Sequence, residues 1–317
     1  MSADKTIAVV GAGLVGRGWT IVFARAGLPV RVFDQSAATL DALTGRLRQS
    51  LTDLESYGLI EGAEKILARV EVASSLAEAV EGAEYVQESV LERTDTKRAL
   101  YAELDGLLGD GTIVGSSSSG IPASEFTEGL GIAPRCLVAH PVNPPYLAPV
   151  VELVPSPWTR SETVDRVHAL MTEVGQHPVR VAREVRGFVL NRLQGALLRE
   201  AWALFDEGYC SIADLDATIS KGLGLRWSFM GPFETIDLNA PDGIADYAHR
   251  LGELYRAIEA ERGGPAVPWS DQLIDRAEAE RRAILPAAEL GARGEWRDRR
   301  LMALAAHQRA MARQEGD

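Results

Sequence analysis

Cysteine is scarce: Cys136 and Cys210 are the only two in 317 residues. They are too far apart, and too few, to suggest a disulfide framework or a cysteine-built metal site, so no metal is expected. The scarcity fits a reducing setting, and the expected location is cytoplasmic. Long apolar runs are missing as well. None reaches the roughly 18 residues that mark a membrane span. Met1 to Lys5 lead straight into a strand-like segment without the features of a signal peptide. Basic runs are absent, and the formal net charge is -12. Such a chain repels phosphate backbones and anionic bilayers, so neither nucleic acid nor membrane is an expected partner. There is no internal repeat and no low-complexity tract.

What is present describes an ordinary globular protein: 46% hydrophobic and 25% charged residues. The length exceeds one comfortable core and points to two domains. The first part alternates strand and helix signals. Thr6 to Val10, Pro29 to Phe33, Tyr85 to Val90, Thr112 to Gly115 and Arg135 to Ala139 read as strands. Leu14 to Ala26, closed by Gly27, and Thr96 to Leu108 read as helices. Leu40, Leu43, Leu47, Leu51 and Leu54 recur at spacings of three and four, one apolar stripe on a helix. Alternation of this kind predicts a parallel sheet with helices on both faces. Near Arg186 the character changes. Phe188 to Phe205 is apolar on most sides, which predicts a helix buried by its neighbours. Ser211 followed by Asp214 resembles a helix start, and Glu278 to Ile284 and Trp296 to Arg313 are rich in helix formers.

Gly11-Ala12-Gly13-Leu14-Val15-Gly16 follows the first strand and opens the first helix. In such a turn one glycine makes the bend, one lets a pyrophosphate approach the backbone, and one lets helix and strand pack closely. The exposed amides and the helix dipole favour phosphate. Asp34 lies 18 residues after Gly16, at the end of the second strand. A carboxylate there can accept from both ribose hydroxyls and repels a 2′-phosphate, which selects NAD over NADP. The bland alternatives are a ligand-free glycine turn and a solvated strand-end acid. The expected fold class is therefore α/β: a Rossmann-type doubly wound sheet over residues 1–186, then an all-helical domain over 187–317. The motif alone names no reaction.

A hydride leaves a carbinol carbon only as the hydroxyl proton is removed. A histidine suits that task, and a carboxylate can orient it. His140 stands at the end of a strand, in His140-Pro141-Val142-Asn143-Pro144-Pro145, and four prolines between 141 and 149 stiffen the loop that follows. The chain resumes as Val150 to Val154. A strand, a rigid reversal and a second strand bring Glu152 back beside His140. Ser116 to Ser119 follow another strand, and strand carboxyl ends line the ligand crevice in a doubly wound fold. His168, His177, His249 and His307 fit no such constellation.

These segments, with Glu88-Ser89-Val90-Leu91-Glu92 and Gly187-Phe188-Val189-Leu190-Asn191-Arg192, resemble the 3-hydroxyacyl-CoA dehydrogenase superfamily. Gly222-Leu223-Gly224-Leu225-Arg226 and Glu295-Trp296-Arg297-Asp298 draw the resemblance toward its lambda-crystallin branch, whose enzymatic members are L-gulonate 3-dehydrogenases. The resemblance runs from about residue 6 to about 300. It implies that His140 is the base, Glu152 its orienting carboxylate, Ser119 a hydroxyl on the reacting oxygen, and Asn191 an amide near that oxygen or the nicotinamide. It implies cofactor contacts at Leu14, Val15, Asp34, Glu92 and Lys97, beside Gly11, Gly13 and Gly16. In one departure, the superfamily's Ser-Asn-Thr-Ser-Ser run is here Ser116-Ser117-Ser118-Ser119-Gly120.

Each role has a plainer counterpart. Glu152 as a strand-end acid, Ser119 as a turn cap, Asn191 bonding its own backbone and Lys97 as a solvated helix lysine are the main ones. No basic cluster is set apart for the phosphates of coenzyme A. Arg226 could instead hold a free carboxylate, with Arg297 assisting, or sit in a structural ion pair. Three functions stay open: a free 3-hydroxy acid dehydrogenase, a 3-hydroxyacyl-CoA dehydrogenase of fatty acid metabolism, and a non-catalytic NAD-binding crystallin-like protein. The apolar helices after Gly187 and the resemblance both point to a homodimer.

Overall fold

A computed structural model describes residues 5–262 and 270–315. Met1 to Asp4, where the absence of a signal peptide was read, lie outside the described residues, as do 263–269 of the expected helical domain. Eight strands form one sheet: β1 (Ile7–Val10), β2 (Val30–Phe33), β3 (Val70–Val72), β4 (Tyr85–Glu88), β5 (Ile113–Ser116), β6 (Cys136–Pro141), β7 (Val150–Pro155) and β8 (His177–Arg180). Their order is β3-β2-β1-β4-β5-β6-β7-β8, and every neighbouring pair is parallel except β6 with β7. The order reverses between β1 and β4. In open α/β sheets that switch point is where the crevice for a ligand opens.

The apolar runs of β1 and β6 are buried along their whole length, as strands covered on both faces must be. Helix α1 (Leu14–Arg25) and helix α2 (Ala37–Ser56) cover one face. The leucine stripe does what its spacing predicts: Leu43, Leu47, Leu51 and Leu54 are buried, with Leu40 packed at the edge. Ser36 caps α2 by accepting from the Thr39 amide. The helix Thr94–Leu107 covers the other face and buries Tyr101 and Leu104. Cys136 lies inside β6, where burial pushes its thiol well up and leaves it inert.

The chain divides into two compact units: Met1–Leu193 with Ala292–Asp317, and Gln194–Gly291. The expected second domain, 187–317, was drawn as one block. Instead, its last helix, Leu290–Glu315, belongs from Ala292 onward with the sheet. Met302 sits 2% exposed in the core that α1 and α2 build, and the Arg309 guanidinium donates to the Leu59 carbonyl at 2.9 Å. Nothing in the local helix signal marks which unit a helix joins.

The second unit, taken by itself, is helical. Ser211 accepts from the Asp214 amide and starts the helix Ile212–Thr218, as its sequence predicts. Arg262 pairs with both Glu200 and Glu207. The helix Leu190–Asp206 departs from expectation. It buries only Phe205, while Leu193 is 62% exposed. An apolar surround predicts burial, but the described residues do not supply the cover.

Met302→Ala removes a side chain seated in the sheet unit's core, which costs about 2–5 kcal/mol for a buried methionine. The thermal midpoint is expected to fall. An unchanged midpoint would mean that the last helix adds nothing to that core.

Candidate active site

The antiparallel pairing of β6 with β7 sets His140 directly opposite Glu152. The proline-rich loop between them turns the chain back in register, so both side chains leave the same face of neighbouring strands. The imidazole Nδ1 and Glu152 Oε2 lie 2.7 Å apart. His140 is 5% exposed and Glu152 2%. The second carboxylate oxygen accepts from the amides of Val189, at 2.7 Å, and Leu190, at 3.0 Å. Burial alone would raise the Glu152 carboxyl. Hydrogen bonds from His140, Leu190 and Val189 outweigh it and hold the group below the usual carboxylate range. An ionised Glu152 favours a proton on the facing Nδ1. Nε2 makes no hydrogen bond among the described residues.

The two amides are aimed by a turn that motif reading passed over. Gly187 and Phe188 both have positive φ, 75° and 51°. For phenylalanine that conformation costs on the order of 1–3 kcal/mol. The turn seats Phe188, fully buried, against the imidazole with ring centroids 5.6 Å apart, and it points the next two amides at Glu152. The signal available was Gly187 before a helix start. Nothing in the sequence shows that the following phenylalanine shares its handedness.

The glycine turn lies at the same sheet edge. Gly11 has a φ of 96°, and a Cβ there would meet the Ser89 carbonyl oxygen at 2.5 Å. A Cβ on Gly16 would meet the Gly11 carbonyl oxygen at 1.7 Å. Gly13, by contrast, faces open space with nothing within 4 Å, and no side chain caps α1 there. The first amides of α1, on Leu14, Val15 and Gly16, have no partner within the helix and are free for an anion. Asp34 stands at the end of β2, its Oδ2 accepting from the Ala12 amide at 2.7 Å and Oδ1 from the Ser36 amide at 2.8 Å. The turn, the open cradle and this strand-end acid fit NAD. Gly11 to Gly16 would take its pyrophosphate, and Asp34 its adenosine ribose.

At the end of β5 the serine loop is held from within. Glu92 Oε1 accepts from the Ser118 hydroxyl at 2.8 Å and from the amides of Ser119, Gly120 and Ile121. Burial acts to raise this carboxyl, and the bonds from Ser118 and Gly120 lead the contributions that lower it overall. Glu92 thus gathers the loop that carries Ser119. Asn191 Nδ2 donates to the Ser119 carbonyl at 2.6 Å. The two residues therefore meet, but through the Ser119 backbone. The Ser119 hydroxyl is exposed and makes no hydrogen bond among the described residues.

Lys97 is not the solvated helix lysine of its plainer reading. It is 1% exposed, and its ammonium donates to both Glu88 oxygens, at 2.8 and 2.9 Å, and to the Ser116 hydroxyl at 3.3 Å. An ammonium has three protons, and all three are engaged. This buried pair ties the helix Thr94–Leu107 to the ends of β4 and β5. Arg297 is likewise occupied, with Nε and Nη2 both on Asp298 Oδ1, at 2.9 and 2.7 Å. Arg226 belongs to the second unit, on the short helix Gly224–Trp227. It is half-buried, and its side chain makes no ion pair among the described residues, so the structural-pair reading finds no partner for it.

The family models for the 3-hydroxyacyl-CoA dehydrogenase NAD binding domain and C-terminal domain match residues 6–185 and 187–285, meeting where the sequence changes character. A lambda-crystallin homolog of Bos taurus is 46% identical over 310 residues, covering 96% of each chain. An L-carnitine dehydrogenase of a Pseudomonas species is 37% identical over 272 residues, covering 86% of this chain and 84% of its own. Among solved structures, a 5-formyl-3-hydroxy-2-methylpyridine 4-carboxylic acid 5-dehydrogenase, described as an NAD+ dependent dismutase, superposes with a TM-score of 0.80 at 28% identity, covering 95% of this chain and 97% of the other. With its NAD-binding sheet and both family domains in order, the chain belongs to the 3-hydroxyacyl-CoA dehydrogenase family.

Proposed function

We propose that the protein oxidises the 3-hydroxyl of a small free 3-hydroxy acid, with His140 as the general base. The observation that carries this reading is the buried His140–Glu152 pair at the edge where the glycine turn lies. A proton held on Nδ1 by Glu152 would leave Nε2 to accept. NAD, when bound, supplies the hydride acceptor. His140 Nε2 takes the hydroxyl proton as the carbinol carbon gives up its hydrogen, and the C–O bond becomes a carbonyl. Glu152 stays ionised throughout and stabilises the imidazolium that forms. The unengaged Ser119 hydroxyl is the donor to the reacting oxygen, and Asn191 holds that loop in place. A non-catalytic, crystallin-like role makes no use of a base kept in one tautomer.

The choice of a free acid over a coenzyme A thioester rests on Arg226. A half-buried guanidinium with no partner among the described residues suits a carboxylate, bidentately. The relatives named for L-carnitine and for a pyridine carboxylic acid support a small unthioesterified substrate. The exposed apolar helix faces favour a symmetric dimer. Leu193, Phe229, Phe233 and Leu238 are each more than 60% exposed, an apolar surface that the described residues leave uncovered.

Replacing His140 with Asn is expected to lower kcat by about two to four powers of ten while NADH still binds. Glu152→Gln, which reverses the imidazole tautomer, is expected to fall in the same range. Stopped-flow turnover with calorimetric binding reads both, and a fully active Glu152→Gln would remove the base assignment. The pH dependence has a definite sign. A depressed folded-state carboxyl stabilises the protein fully above the unfolded value, about 4.3 for glutamate, and loses that contribution as pH falls through the lowered value. The stability gap between wild type and Glu152→Gln should therefore be widest near neutrality and close in strong acid.

NADH production measured side by side with L-gulonate, 3-hydroxybutyrate and 3-hydroxybutyryl-CoA should favour a free acid. Arg226→Met should raise KM for that acid about tenfold or more, the loss of one charge-assisted contact. Preference for the thioester, or an unmoved KM, would overturn the free-acid choice. Light scattering should give twice the chain mass, and a monomer would refute the dimer.

A further inference from the structure

From β4 and α1 to the ends of β4 and β5 runs a chain of buried and partly buried polar groups that the proposed chemistry does not use. The Tyr85 hydroxyl donates to Gln87 Oε1 at 2.7 Å. Gln87 Nε2 donates to the Ser117 hydroxyl oxygen at 2.8 Å, and the Trp19 indole N–H donates to the same oxygen at 3.1 Å. Ser117 lies 2.8 Å from the hydroxyl of Ser89. Trp19 and Gln87 are fully buried and Tyr85 is 2% exposed, so none of them has water as an alternative partner.

The direction of this chain follows from what each group can do. An indole N–H only donates, and the Gln87 amide nitrogen only donates. A serine hydroxyl has two lone pairs and one proton. Both lone pairs of Ser117 are occupied, so its proton goes to Ser89. The Ser89 oxygen is then an acceptor, and its own proton is left over. Ser89 makes no further side-chain hydrogen bond among the described residues, and it is only partly buried. The buried network thus fixes Ser89 as a donor facing outward.

Its position says what it faces. Ser89 follows β4 directly, and its carbonyl oxygen and Cβ lie against the positions where Gly11 and Gly16 lack a side chain. Along the sheet edge the order is Asp34 after β2, the glycine turn after β1, Ser89 after β4, the serine loop after β5, and His140 on β6. A dinucleotide with its adenosine ribose at Asp34 and its pyrophosphate on the glycine turn passes Ser89 with its remaining half. We infer that the Ser89 hydroxyl donates a hydrogen bond to an acceptor oxygen on the nicotinamide riboside half of NAD, and that Trp19, Gln87 and Ser117 are positioning residues that impose this polarity. Only the direction in which the dinucleotide lies rests on the dehydrogenase reading.

The test is calorimetric binding of NADH and of ADP to the full chain, with wild type, Ser89→Ala, Ser117→Ala and the double variant. Loss of one neutral hydrogen bond corresponds to about a three- to tenfold rise in Kd. Ser89→Ala should show that rise for NADH and none for ADP. Ser117→Ala should show a smaller rise, and the double variant should match Ser89→Ala alone, since Ser117 acts only through Ser89. Unchanged NADH affinity in Ser89→Ala would overturn the inference. Equal losses for NADH and ADP would overturn it as well, because they would mean a damaged glycine turn. In either case turnover of a hydroxy acid by the wild type would leave the dehydrogenase reading standing, and failure of the wild type to bind NADH would defeat both.

Discussion

Glu152 holds two parts of the molecule with two oxygens. One oxygen lies 2.7 Å from His140 Nδ1, and the other accepts from the amides that open the helix Leu190–Asp206. Each bond supports the other. The amides help keep the carboxyl ionised despite burial, and an ionised carboxyl keeps the imidazole in one tautomer. Removing either set would leave a buried polar group unsatisfied, which is costly. His140, the Gly187-Phe188 turn and the helix start are therefore one assembly. Its strain at Phe188 sits where the surrounding bonds over-determine the backbone.

The sheet explains why that assembly can serve a cofactor. Parallel strands deliver their carboxyl ends to one edge, and the order reversal between β1 and β4 leaves a crevice there. The antiparallel β6–β7 pair at the side of that edge is what allows a carboxylate to face the histidine across one register step. A crossover in place of the proline-rich reversal would carry Glu152 to the far end of its strand. The buried Lys97–Glu88 pair and the Glu92-gathered serine loop fix the neighbouring strand ends, so the edge is rigid where chemistry is proposed.

Much of this was legible. Strand candidates, the leucine stripe, the glycine turn and the His140–Glu152 reversal depend on local periodicity or on short spacings, and these survive folding because the packing they anticipate is local. The strands β3 and β8 went unread because β3 is only three residues long and β8 contains Pro178 and charged or polar ends. The Lys97–Glu88 pair went unread because a lysine on a helix face is usually solvated. The loop bonds of Glu92 went unread because their partners come from 26 to 29 residues away. The return of the last helix to the sheet unit, and the bare faces of Leu190–Asp206, are tertiary outcomes that amphipathicity alone does not assign.

The central claim is that Glu152 keeps the His140 proton on Nδ1 and leaves Nε2 free to accept. Nitrogen-15 NMR of the imidazole in the resting protein at neutral pH reads this directly. The account predicts a protonated Nδ1 with a strongly downfield proton and an unprotonated Nε2, with the downfield signal lost in Glu152→Gln. A proton on Nε2, or a Nδ1 signal indifferent to Glu152, would contradict it.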